Sequence, residues 1–97
     1  MTTIAILELT IKAENVADAP AILTETLEAT RAFEGNLGCE VLIDNADETH
    51  VSIVERWESV ENDNAYRAFR QTPEGASRLG TIVADRKLTL YTVRDDI

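Results

Sequence analysis

The stretch RAFEGNLGCEVLIDNADETHVSIVERW, residues 31–57, decides the fold. It holds a helix end, a glycine-punctuated turn (Gly35, Asn36, Leu37, Gly38) and an apolar strand over residues 37–43. A polar turn follows at Asp44, Asn45, Ala46, Asp47 and Glu48, and a second strand over residues 49–57 closes on the only Trp. Leu37, Cys39, Val41 and Ile43 fall on one side of the first strand and Glu40 and Leu42 on the other, the period of two that a strand requires. Two strands joined by so short a link pair antiparallel, and the core and any cavity should be built against them.

Before this hairpin, residues 4–11 are rich in branched side chains and apolar on both alternating sets, as a strand covered on both faces would be. Glu8 is the exception: an acid there must be satisfied or sit at a cavity. Val16, Pro20, Leu23, Leu27 and Thr30 then recur at helical spacing, with Asn15 or Asp18 placed to cap and Pro20 tolerable only in the first turn. This predicts a helix of about four turns ending near Phe33.

Beyond the hairpin, residues 60–70 have helical character around Ala65, Tyr66 and Phe69. Thr72-Pro73-Glu74 reads as the start of a second helical piece through Ala76, Leu79 and Val83. Residues 87–93 form the last strand. The order predicts one domain over residues 1–97, of α+β class: a ferredoxin-like β-α-β-β-α-β unit, with a four-stranded antiparallel sheet and helices on one face. The other sheet face still needs a cover. The simplest is the same face of a second copy, making a homodimer.

Composition narrows the function. Apolar residues make up 44% of the 97, enough to fold. Eighteen acidic against nine basic residues give a net charge of -9, so phosphate backbones and anionic lipid surfaces would be repelled; neither nucleic acid nor membrane is expected as a partner. Residues 1–11 lack a basic start and carry Glu8, reading as a strand and not a signal peptide, and no apolar run approaches the roughly 20 residues of a membrane span. A soluble, cytoplasmic protein is the expectation. Cys39 is the only cysteine and reads as a buried, inert thiol.

Thr30-Arg31-Ala32 ahead of Gly35-Asn36-Leu37-Gly38-Cys39-Glu40-Val41, then Val54-Glu55-Arg56-Trp57-Glu58-Ser59 and a short helix, resemble the antibiotic biosynthesis monooxygenase (ABM) domain family. Its pattern is a Thr-Arg helix end, a Pro-Gly turn, a Leu-x-Tyr-Glu strand and a Glu-Arg-Trp-Glu-Ser strand end, the last being the most specific part. The resemblance covers nearly the whole chain. It implies a dimeric α/β barrel with a cavity in each subunit between sheet and helices. It also implies an activity: some members oxidise quinols or anthrones with dioxygen and no metal or flavin, and others degrade haem, so fold is better specified than reaction. Two departures stand out. Tyr66 occupies a position where the family often carries His, and Phe33-Glu34 replaces an acidic-Pro pair.

Tyr66 is the leading candidate for chemistry: a phenol facing a cavity can hydrogen-bond a substrate hydroxyl or stabilise a developing phenolate, while a plain half-buried helix Tyr is the structural alternative. Glu8, Glu40 and Glu55 lie in strands and would be general bases if buried; Glu55 matches the family motif and reads first as the partner of a nearby Arg. Trp57 is a core anchor, a cavity wall, or both, and Phe69 would flank the same substrate. Arg31 and Arg56 would bind an anionic oxygen or form structural ion pairs, and Asn36 would orient a substrate or serve its turn. His50 sits at a hairpin end beside acids and reads as solvated; with one His and one Cys, neither a metal site nor a cofactor is expected. The leading expectation is a cofactor-independent monooxygenase that oxidises a small aromatic substrate with dioxygen. The alternatives are a non-catalytic dimeric module binding a small apolar ligand, and a haem-binding or haem-degrading protein.

Overall fold

Branched residues and helix formers alternate along the chain in the order that the computed structural model, which describes residues 1–97, displays. Strand β1 (Thr3–Ile11) leads through a 3-10 turn (Ala13–Asn15) into α1 (Ala19–Ala32). The hairpin β2 (Asn36–Asp44) and β3 (Asp47–Trp57) follows, then α2 (Val60–Arg70), a second 3-10 turn (Arg78–Thr81) and β4 (Val83–Thr92). The four strands make one antiparallel sheet in the order β2-β3-β1-β4. This is the expected ferredoxin-like α+β arrangement.

Local chemistry sets the boundaries. α1 carries Pro20 in its first turn, as expected, but Asp18 does not cap through its side chain; its carboxylate instead accepts from Asn15 Nδ2 at 3.2 Å. Gly35, at φ 86°, turns the chain out of α1, and Asn36 Oδ1 accepts from the Gly38 amide at 2.9 Å. Ser59 is the N-cap of α2, its hydroxyl accepting from the Asn62 amide.

One expected element does not form. Instead of capping a helix that runs through Ala76, Leu79 and Val83, the Thr72 hydroxyl donates back to the Phe69 carbonyl at 2.6 Å and accepts from the Gly75 amide at 3.1 Å. A β-carbon on Gly75 would run into the Phe69 carbonyl, so only glycine lets the chain fold this closely onto the end of α2. The turn consumes the residues a helix would have used. Only a single 3-10 turn follows, with Ser77 Oγ accepting from the Leu79 amide, and β4 begins at Val83 instead of 87, paired to Ile11 of β1 across a bulge.

The helices lie on one sheet face. Leu9, Ile11, Leu23, Leu27, Val51 and Ile53 are its fully buried centre, each contributing on the order of 1.5–3 kcal/mol by burial. α1 packs toward β2 and α2 over β1 and β3, leaving Leu88 and Leu90 of β4 partly uncovered. On the opposite face Ile4, Ile6 and Val54 are half-buried, while Leu42 and Tyr91 stand about half exposed. No helix is long and apolar enough to cross a membrane.

Candidate active site

Register places the chemistry. Because Thr3 pairs with Trp57 and Ala5 with Glu55, the helix-facing side of β3 ends in Ile53, Glu55 and Trp57, beneath α2. Ala5, fully buried, is small enough to leave room above the sheet for large rings. Trp57 fills that room at 0% exposure with Tyr66 tilted against it (centroids 5.0 Å apart), and Phe33 meets the edges of both. Phe33 also touches Phe69 at 5.4 Å. These four rings form an aromatic block that closes one end of the molecule.

Beside the block lies a cavity of about 640 Å³, in the range that holds a small ligand. Its floor is Leu7, Leu9, Ile53 and Glu55 from the sheet; its walls come from α1, α2, the Gln71–Gly80 connection and the start of β4. Two polar groups are built from one face of α2, where Asp63, Tyr66, Arg67 and Arg70 recur at three- and four-residue spacing.

The first group is an ion cluster. Arg67 Nη2 donates to Glu55 Oε1 at 2.5 Å and to Asp63 Oδ1 at 2.9 Å, so one cation serves two carboxylates that are 2% and 0% exposed. The Trp57 indole N–H also donates to Glu55 Oε1, at 3.2 Å. The second Glu55 oxygen takes no hydrogen bond from the protein. Burial pushes the Glu55 carboxyl above its ordinary range; Arg67, by charge and hydrogen bond, and the Trp57 N–H hold it down, and the Asp63 charge pushes it up again.

The second group centres on Tyr66. Thr30 Oγ1 donates to the Thr26 carbonyl, so at 2.6 Å the Tyr66 hydroxyl is the donor to Thr30 Oγ1, and it accepts from Arg70 Nε at 2.7 Å. Arg70 further donates to the Gly75 carbonyl at 3.1 Å, the Thr26 carbonyl at 2.7 Å and Thr30 Oγ1 at 3.2 Å. Its guanidinium stacks over the Tyr66 ring at 5.0 Å.

Of the residues singled out in the sequence, Glu55 and Tyr66 line the cavity. Trp57 and Phe69 belong to the aromatic block behind it, and Asn36 serves the turn after α1. Arg31 lies elsewhere, donating to the Cys39 carbonyl at 3.1 Å and lining a separate apolar groove of about 510 Å³ between α1 and the hairpin. Glu8 and His50 face the other side of the sheet. His50 Nδ1 lies 2.9 Å from Asp44 and Nε2 3.5 Å from Glu8, contacts that raise its proton affinity. Cys39 is half-buried, and burial raises its thiol. Sequence reasoning missed Asp63, Arg67, Arg70 and Thr26. The signal for the first three was their common helix face with Tyr66.

A four-stranded antiparallel sheet with two helices on one face, and a cavity lined by a buried Glu and a Tyr between them, is the ferredoxin-like α+β arrangement. The chain belongs to the antibiotic biosynthesis monooxygenase family, whose sequence model matches residues 2–76. Among solved structures, a Deinococcus radiodurans protein assigned to these monooxygenases aligns at 25% identity and a TM-score of 0.80, over 98% of this chain and 95% of that one. SnoaB, a cofactor-independent oxygenase from Streptomyces nogalater solved in a mutant form, aligns at 14% identity and a TM-score of 0.80, over 97% and 94% of the two chains. Rv0793 from Mycobacterium tuberculosis aligns at 15% and 0.78, over 98% and 97%. The search of curated proteins returned no match. Family and fold together support a monooxygenase-like role in general terms.

Proposed function

We propose that this protein is a cofactor-independent monooxygenase acting on a small, planar, electron-rich aromatic substrate of the quinol or anthrone kind, with Glu55 as the base. The observation that carries this reading is a buried carboxyl of raised proton affinity, with one oxygen free of protein partners, on the wall of a cavity of ligand size. A carboxylate so placed is poised to take a proton from a weak carbon or phenolic acid. The substrate anion then supplies electrons to dioxygen: a carbon–oxygen bond forms, and the resulting hydroperoxide loses water. For an anthrone methylene the balance is CH2 plus O2 giving C=O plus H2O, with one oxygen atom in the product and one in water.

The chain itself contributes orientation, a dry pocket and a proton acceptor. Tyr66, whose single proton goes to Thr30, contributes chiefly by holding Arg70 at the wall, while Trp57 fixes one oxygen of Glu55. The haem reading has less support, because the cavity wall includes no His, Cys or Met and His50 is on the opposite sheet face. A second copy packed on the half-buried Ile4, Ile6 and Val54 face would complete a cytoplasmic homodimer with the cavities on its outer sides. An oxygen electrode run over quinols and anthrones with wild type, Glu55→Gln and Tyr66→Phe tests the activity. Uptake that Glu55→Gln abolishes supports it, and no uptake with any such substrate refutes it.

A further inference from the structure

Arg70 differs from every other cation at the cavity. Arg67 is shared by two acids and Arg86 is an exposed residue at the rim, whereas Arg70 is half-buried and forms no ion pair. A guanidinium carries five N–H donors. Four of them go to neutral acceptors: the Tyr66 hydroxyl, the carbonyls of Gly75 and Thr26, and Thr30 Oγ1. The fifth, on Nη1, is uncommitted, and the positive charge has no counter-ion.

Thr26 supplies an independent observation. Helical threonines commonly return their hydroxyl to the carbonyl four residues back, as Thr24 does to Pro20 and Thr30 does to Thr26. Thr26 does not: its Oγ1 is buried with no partner at all, although the residue is only 6% exposed and lines the cavity one helix turn from Thr30. A buried hydroxyl without a partner is costly unless something absent from the chain completes it.

From these we infer that Arg70 and Thr26 form an oxyanion subsite in the cavity, which takes the negatively charged oxygen of an aromatic ligand while Glu55 faces its acidic proton. This deepens the reading of the cavity as an oxygenase site and rests on it for the role of Glu55. Charge pairing is the reason both halves fit together. Within the chain one cation serves Glu55 and Asp63, and Arg70 forms no ion pair. Once a substrate proton moves to Glu55, Asp63 has Arg67 to itself and the substrate oxyanion has Arg70, so every buried charge is matched. The oxygen belongs either to a carboxylate carried by the ligand or to the enolate or phenolate formed by deprotonation.

Calorimetric titration with 2-naphthoate, its neutral methyl ester and 2-naphthol tests the subsite without any turnover. Wild type should bind naphthoate at least about tenfold more tightly than the ester, the value of one charge-assisted hydrogen bond. Arg70→Gln should erase that preference and leave ester binding within about twofold, while the surface control Arg94→Gln changes neither. Should Arg70→Gln not fold, Thr26→Val decides: it removes an unpartnered hydroxyl, so the melting temperature should hold or rise while naphthoate weakens by about threefold or more. Glu55→Gln should keep or tighten naphthoate binding while abolishing oxygen uptake, which separates failure of the subsite from failure of the oxygenase reading. If 2-naphthol alone shows the Arg70 dependence, the oxyanion comes from deprotonation; if naphthoate does, the site accepts a preformed carboxylate. The subsite is overturned if wild type does not prefer naphthoate or naphthol to the ester, or if that preference survives both Arg70→Gln and Thr26→Val.

Discussion

Replacing Arg67 by Met keeps the aliphatic stem over Tyr66 but strands two carboxylates, at 2% and 0% exposure, without their cation. Removing one partner of a buried pair costs about 3–5 kcal/mol; the guanidinium is itself a quarter exposed, which places the loss near the low end, at about 3 kcal/mol. For a domain of this size that is a fall in melting temperature of roughly 12–24 °C. The loss should depend on pH in a definite direction. The folded Glu55 carboxyl binds its proton more tightly than the unfolded chain, whose value is near 4.5, and loss of Arg67 removes the largest influence holding it down. Between the unfolded and folded values the native state carries more protons, so stability falls as pH rises through that window. The deficit of Arg67→Met against wild type should therefore be smaller at pH 4.5 than at pH 8, the part that Asp63 contributes remaining at both. Urea unfolding at fixed protein concentration, at both pH values, measures it. A deficit below about 1 kcal/mol at pH 8, or one equal at the two pH values, would refute the shared-cation description of this cluster.

Tyr66→Phe should cost about 1–3 kcal/mol in the same assay, because Thr30 and Arg70 lose a partner where water has little access. Ser59→Ala removes the side-chain acceptor at the start of α2 and should cost about 1 kcal/mol. Gly35→Ala should be destabilising through both its positive φ and a collision with the Asn62 side chain, a loss that Asn62→Ala in the same chain should partly restore. In an NMR titration the His50 midpoint should lie above 6.5 and move back toward it in Asp44→Asn, since Asp44 is the larger of its two acidic neighbours' influences. The stability His50 contributes is then complete below 6.5 and lost as pH rises through the folded midpoint. Sedimentation at micromolar concentration should show a dimer that Val54→Asp, on the half-buried open face, dissociates; a stable wild-type monomer would contradict the homodimer.

The hairpin, the four-stranded antiparallel sheet and the helix of residues 60–70 were legible because each rests on a local rule: alternation over 37–43, the two-glycine turn, helical character around Ala65, Tyr66 and Phe69. The segment after Arg70 was not. Thr72-Pro73-Glu74 has the composition of a helix start, but Thr72 bonds backward to Phe69 and Gly75 folds against the helix end, contacts that depend on where α2 stops. The site was legible in half. Glu55 and Tyr66 came from the motif and the helix, whereas the pairing of Arg67 and Arg70 with them required knowing that α2 lies over β3. Trp57 was read as a core anchor, a cavity wall or both, and it stands at 0% exposure within the aromatic block.

Oxygen consumption with an anthrone as substrate, followed from pH 5 to 9 for wild type and Glu55→Gln, decides whether Glu55 is the base. Uptake should rise with pH as Glu55 gives up its proton, and fall by about a hundredfold or more in the Gln variant. Uptake that is undiminished by Glu55→Gln would contradict it.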